Sequence, residues 1–374
     1  MIPTLRGAAL ATATVIGSLV ALGLALEAGL RIFPGLTPRG VYGFNIYNPD
    51  LNSMVLRPPG LFYNKIRYQA RIPNRDGFLD VDHIEEKPDG VYRVGIFGDS
   101  YVEAVQVPLE QSFFRRIPSR IAGREVETLA FGISGWGTLH SLLAQRAFGA
   151  RYNLDMVIYS FYGNDPGDHA YALLGHDSNY SRPLAVLSEG EAGFEIRRAA
   201  ERDPPSGLVE RLRERSRLFM VIQGRRSLLR RQSRNDALVG VRQDDPPSVW
   251  PPELLAEVQL LTRRILARFR DEVQGQGREF VVLFVPEEPA VVNGHLEPED
   301  SWYRFMERTC AELEITLIDP HAALRARHEA GIRTYDDHWS PAGHEVIADL
   351  LSDYLATTLG NRGFTPPSVD ASRP

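Results

Sequence analysis

The sequence holds a single cysteine, Cys310, in 374 residues. One thiol forms no internal disulfide, and it excludes cysteine-based zinc clusters. Cys310 lies in a helix-like stretch and reads as a small buried apolar residue. Lysine is nearly missing too: Lys65 and Lys87 are the only two among 42 lysines and arginines. Excess positive charge is also lacking, because the net charge is −6. Nucleic-acid-binding domains normally carry a basic surplus, so no nucleic-acid partner is expected. No internal repeat is visible, which argues against repeat architectures. What remains is ordinary globular material, 43% hydrophobic and 24% charged, long enough for one large domain or two smaller ones.

Long apolar runs are scarce, with one exception. Ala8 to Leu26 carries no charge. About 20 apolar residues make a helix of about 30 Å, which matches the hydrocarbon core of a bilayer. Arg6 precedes the run, and Glu27 and Arg31 follow it. A cleavable signal usually has a shorter apolar region and a small-x-small site after it. No such site is evident near Glu27, so an uncleaved single-pass anchor is expected. Arginines on both sides leave orientation open. The anchor's place at the extreme N-terminus gives the expectation of an extracytoplasmic domain.

The expected organisation is an anchor over 1–32 and an irregular approach segment over 33–87. A catalytic-type domain follows over 88–360, interrupted by an insertion at 166–250, and 361–374 is a disordered tail. Short β-rich runs alternate with helical patterns, the mark of a parallel sheet covered by helices. The expected fold is therefore α/β: a three-layer α/β/α sandwich around a roughly five-stranded parallel sheet, plus the N-terminal transmembrane helix. Expected strands include Val91 to Phe97, Val126 to Ala130, Leu154 to Tyr159, Glu279 to Val285 and Ile315 to Ile318. Leu109 to Ile121 shows helical periodicity, with Phe113, Phe114, Ile117 and Ile121 on one face and Pro118 as a possible kink. Helices are also expected from Thr138, Pro252, Ser301 and His321, and from Ser340-Pro341, a good N-cap and first-turn pair. In the insertion, Leu208, Leu212, Phe219 and Ile222 make an apolar stripe among arginines. That stripe suits a capping helix or a surface lying on anionic lipid.

Chemistry-bearing residues gather where these strands end. The strand Val91 to Phe97 stops at Gly98, where the backbone is expected to turn sharply and present Asp99 and Ser100. A serine hydroxyl is a poor nucleophile until a base takes its proton. His338 suits that role, because it precedes a capped helix instead of sitting on an apolar helix face. In an extended segment, residues two apart point the same way, so Asp336 ranks first as the acid that orients His338 and Asp337 second. Donors for a developing oxyanion are the Ser100 and Gly135 backbone N–H groups and the Asn164 side-chain amide. A metal set of Asp336, Asp337, His338 and His344 matches no common ligand spacing, so no metal and no cofactor is expected.

Taken together, Gly98-Asp99-Ser100, Gly135, Gly163-Asn164-Asp165 and Asp336 with His338 resemble the four ordered blocks of the SGNH (GDSL-like) hydrolase superfamily. The resemblance spans roughly Val91 to Leu359. It implies a serine nucleophile at Ser100, a base at His338 oriented by Asp336, and an oxyanion hole from Ser100, Gly135 and Asn164. The Asp-x-His-Trp form is similar to the membrane-anchored and alginate O-acetylation branches of that superfamily. Two departures stand out. Many members place the aspartate three residues before the histidine, here Tyr335, and an asparagine five residues before the second-block glycine, here Ala130. The leading expectation is a membrane-anchored serine esterase acting on a carboxylic ester, with an O-acetylated carbohydrate as the substrate class. The alternatives are an O-acetyltransferase working through the same acyl-enzyme and a non-catalytic glycan-binding module. The partners implied are the ester substrate and the membrane.

Overall fold

The computed structural model describes residues 5–33, 45–48, 53–56, 73–167, 183–189, 193–197, 212, 216–219, 221–222, 247–293, 298–299 and 301–361. Helix α1 (Leu5–Ile32) opens the chain, and its Ala11–Ile32 portion is long and apolar enough to cross a membrane. A hairpin of β1 (Asn45–Asn48) and β2 (Ser53–Leu56) follows.

The rest is built around one sheet. Its strands are β3 (Val91–Gly98), β4 (Arg120–Ile121), β5 (Arg124–Gly132), β6 (Met156–Tyr162), β9 (Glu279–Val285) and β10 (Thr316–Ile318), in the spatial order β10-β9-β6-β3-β5-β4. Five strands are parallel, and two-residue β4 adds an antiparallel edge to β5. That makes six strands where roughly five were expected, without changing the fold class. Between β6 and β9 the insertion carries a hairpin of β7 (Leu184–Leu187) and β8 (Phe194–Arg197).

Both faces of the sheet are covered, which is why its strands read as continuous apolar runs. Alternation sorts the side chains: on β6, Met156 and Ile158 enter one core, while Val157, Tyr159 and Phe161 enter the other. The second core is closed by α4 (Thr138–Ala144), α5 (Pro252–Gln274) and α7 (Trp302–Glu312). The first is closed by α3 (Phe113–Arg116), α6 (Glu288–Val292), α8 (His321–Glu329) and α9 (Pro341–Asn361). The one-turn helix α2 (Ser100–Glu103) follows β3 directly.

Leu109–Ile121 does not form one helix. A single 3-10 turn over Leu109–Gln111 and one-turn α3 are followed by β4. Pro118 accounts for the stop, since it cannot continue a helix. The four apolar residues read on one face are nonetheless all buried.

The approach segment is fastened to the sheet by buried polar groups. Arg93 on β3 is fully buried; it donates to Glu127 at 2.6 Å and to the carbonyls of Ile84, Glu85 and Tyr152 at 2.7, 2.9 and 2.9 Å. Asp80 accepts from the Ala130 N–H at 2.9 Å and meets His83 Nε2 at 3.0 Å. The backbone beside the second block is thus held although Ala130 replaces the expected asparagine. Phe78 drops into the core edge-on to Phe131, Trp136 and Phe148.

In the insertion, Leu208 lies outside the described residues, as does the tail beyond 361. Leu212 and Ile222 are exposed. Ser216 Oγ and the Leu218 N–H each donate to Glu27 of α1 at 2.9 Å.

Candidate active site

The chain leaves β3 for β5 on one side, then passes back to β6 on the other. Open α/β sheets bind ligands outside the carboxyl ends of their strands where the order reverses in this way. Ser100 follows the end of β3, Gly135 follows β5 and Asn164 follows β6, so all three lie on that rim.

Gly98 is required by space and not by a left-handed turn. A Cβ there would come within 2.7 Å of Val102 Cγ2 and 3.0 Å of Ser160 Cβ. Asp99 then caps α2, accepting from the Tyr101 N–H at 2.9 Å. Burial pushes the Asp99 carboxyl up to about 7, against the pull of the surrounding backbone N–H groups. Its Oδ2 is 3.5 Å from Ser100 Oγ.

Ser100 Oγ and His338 Nε2 are 2.7 Å apart, across 238 positions of sequence. Two buried aromatic residues brace the histidine's loop. Tyr335 Oη donates to the Pro286 carbonyl at 2.8 Å, and Trp339 packs against Phe113 and Tyr101. The Tyr101 ring also lies 4.6 Å from the His338 ring, centroid to centroid. Ser340 locks the loop's far end, donating to the Arg333 carbonyl at 2.6 Å and accepting from the Gly343 N–H at 3.2 Å.

The segment before the histidine is not extended as the spacing suggested. Asp337 has φ 73 and reverses the chain between β11 (Tyr335–Asp336) and β12 (His338–Trp339). Asp336 and His338 become direct cross-strand partners. The ranking of Asp336 over Asp337 assumed an extended run, and the turn at Asp337 replaces that run. Asp337 does not point away: its Oδ2 lies 3.3 Å from His338 Nδ1, with the side chain 65% exposed. Asp336 Oδ1 accepts from Arg333 Nη2 at 3.2 Å.

Gly135 sits at φ 78, a conformation that an L side chain strains to adopt. Asn164 belongs to a tight turn, with Asp165 N–H donating to Tyr162 O at 3.0 Å and Gly167 N–H to Asn164 O at 3.0 Å. Buried Tyr159 ties this turn to the second block. Its hydroxyl is 2.5 Å from Asp165 Oδ2 and 2.9 Å from Thr138 Oγ1, at the start of α4.

His344 serves packing: its Nδ1 accepts from the Phe113 N–H at 3.2 Å and its ring stacks on Phe113. Among the described residues, no group of three or more histidines, cysteines or acids is placed to hold a metal ion.

Sequence reasoning overlooked Glu103, Tyr101 and Tyr159. Glu103 is buried and accepts from both the N–H (3.1 Å) and the hydroxyl of Ser134. Its spacing from Ser100, three residues along a helix, was the available signal.

A hydroxyl against an imidazole nitrogen, with backbone and amide donors on the same rim, can carry out acyl transfer. No family model and no curated protein matches the chain. Solved structures with a similar layout include TesA, at 13% identity and a TM-score of 0.39, over 71% of this chain and 98% of that one. The acetyl xylan esterase AlAXEase aligns at 13% identity and a TM-score of 0.39, over 71% of this chain and 100% of that one. A member of the lipolytic protein G-D-S-L family from Veillonella parvula aligns at 9% identity and a TM-score of 0.37, over 70% and 97%. In fold, this chain is a three-layer α/β/α sandwich on a mostly parallel sheet.

Proposed function

We propose that this chain is a serine ester hydrolase of the SGNH type, working through an acyl-enzyme and held to a membrane by α1. The 2.7 Å approach of Ser100 Oγ to His338 Nε2 carries the reading. Ser100 Oγ attacks the ester carbonyl carbon while His338 takes its proton. The carbonyl oxygen becomes an oxyanion, met by the N–H groups of Ser100 and Gly135 and the amide of Asn164. His338 then gives its proton to the departing alkoxide, leaving acyl-Ser100. A water deprotonated by His338 repeats the sequence and releases the acid.

Asp336 orients the imidazole in this scheme. It opposes His338 across the hairpin, whereas Asp337 is largely in water, where a charge pair contributes little. A short acyl group on a carbohydrate is the substrate class favoured by the Asp-x-His-Trp resemblance.

The test is turnover of p-nitrophenyl acetate. Ser100→Ala and His338→Ala are each expected to lower kcat by about 10,000-fold or more, as loss of a nucleophile or its base does elsewhere. Wild-type turnover that survives both substitutions would contradict the reading.

A further inference from the structure

Gly135 has to present its N–H at a fixed place, yet it lies on a loop whose neighbour Ser134 is exposed. What holds that loop comes from the helix that carries Ser100. Glu103 is 2% exposed, and its Oε2 alone accepts both the Ser134 N–H, at 3.1 Å, and the Ser134 hydroxyl. Burying a carboxylate is costly unless hydrogen bonds compensate it, and bonds to a charged acceptor are the strong kind.

The surrounding packing permits this grip. A Cβ on Gly132 would sit 2.5 Å from the Glu103 nitrogen and 2.6 Å from Val102 Cβ, so only glycine lets α2 lie this close to the end of β5. Ile133 N–H donates to Gly98 O at 3.3 Å, joining the strand ends. Ser100 and Glu103 stand one turn apart on α2.

We propose that Glu103 is a positioning residue for the oxyanion hole: by gripping Ser134 from α2 it fixes the Gly135 N–H relative to the Ser100 hydroxyl. The nucleophile and one of its oxyanion donors are thereby set by a single turn of helix. This rests on the ester-hydrolase reading for its consequence, though not for the grip itself.

The experiment compares wild type with Glu103→Ala, Glu103→Gln and Ser134→Ala. Hydrolysis of p-nitrophenyl acetate reads kcat and KM separately, and binding of ethylboronic acid reads the tetrahedral adduct on Ser100. Backbone amide hydrogen exchange over 133–137 reads the loop. Glu103→Ala is expected to lose about 100-fold in kcat, the scale of one oxyanion donor, with KM within about threefold. Boronate affinity should fall in parallel, and exchange at Ser134 and Gly135 should speed up. Glu103→Gln keeps an acceptor and should recover most of the loss. Ser134→Ala, at an exposed site, should lose about 10-fold in kcat, the scale of one hydrogen bond.

Wild-type kcat and unchanged loop exchange in Ser134→Ala, with Glu103→Ala either equally active or unfolded, would overturn the proposal. So would a rise in KM with kcat unchanged. If turnover survives Ser100→Ala while loop exchange still responds to Glu103, the ester-hydrolase reading fails and the grip stands.

Discussion

His338 meets Ser100 from the far end of the chain, and two carboxylates flank it on a hairpin of four paired residues. Their roles separate by substitution to asparagine, which keeps shape and removes charge. Asp336→Asn is expected to lower kcat by about 100-fold or more, in the direction seen when an orienting acid is neutralised elsewhere. Asp337→Asn should stay within about threefold, because a pair so exposed is screened. Steady-state kinetics on an acetyl ester checks both, and the reverse ranking would make Asp337 the orienting acid. At this scale the sequence was informative about residue types and poor about local shape. Asp-x-His suggested an extended run, whereas a positive φ at Asp337 folds it back. Aspartate tolerates that conformation better than most residues, so nothing in the spelling distinguished the two.

Among elements, the approach segment shows what the sequence did not reveal. Residues 73–87 read as irregular, and partners of theirs lie far away in sequence: His83 pairs with Glu127, and Asp80 accepts from the Ala130 N–H. Burial opposes charge on His83, but its bonds to Asp80 and Glu127 prevail and push it up to about 9. The folded value therefore lies above the ordinary 6.5. The stabilisation is complete below pH 6.5 and is lost as pH rises through about 9. At most it amounts to about 3 kcal/mol. The Tm difference between wild type and His83→Gln should be large below pH 6.5 and close above about pH 9. A difference that does not change with pH would refute the charged network.

Tyr159 makes a second test at this scale. Its hydroxyl joins the Asn164 turn to the start of α4, and Tyr159→Phe removes both bonds. Leaving Asp165 and Thr138 short of a buried partner should cost about 1–3 kcal/mol, read from denaturant unfolding. The long strands were easy to read because a strand buried on both faces must be apolar throughout. Leu109–Ile121 was misread because one-turn helices, a proline and a two-residue strand can bury the same four apolar residues that a longer helix would.

For the whole molecule, the strand order does the organising. Reversal at β3 brings three loops from distant parts of the chain to one rim, and the hairpin before α9 delivers His338 to it. That convergence was legible as four ordered blocks, whereas the clamps beneath them, Glu103 on Ser134 and Tyr159 on Asp165, were not. They depend on side chains whose partners are set by packing and not by spacing. Helix α1 lies outside this core, so deleting 1–32 should move the protein from the membrane to the aqueous fraction while kcat/KM on a soluble ester stays within about twofold. Continued membrane association after that deletion would assign lipid binding to the insertion instead.

The central claim is that Ser100 is a nucleophile activated by His338. Labelling with a fluorophosphonate probe, followed by peptide mapping, tests it most directly. The account predicts one modified residue, Ser100, and labelling that collapses in His338→Ala while that variant stays folded. Labelling at another residue, or undiminished labelling without the imidazole, would contradict it.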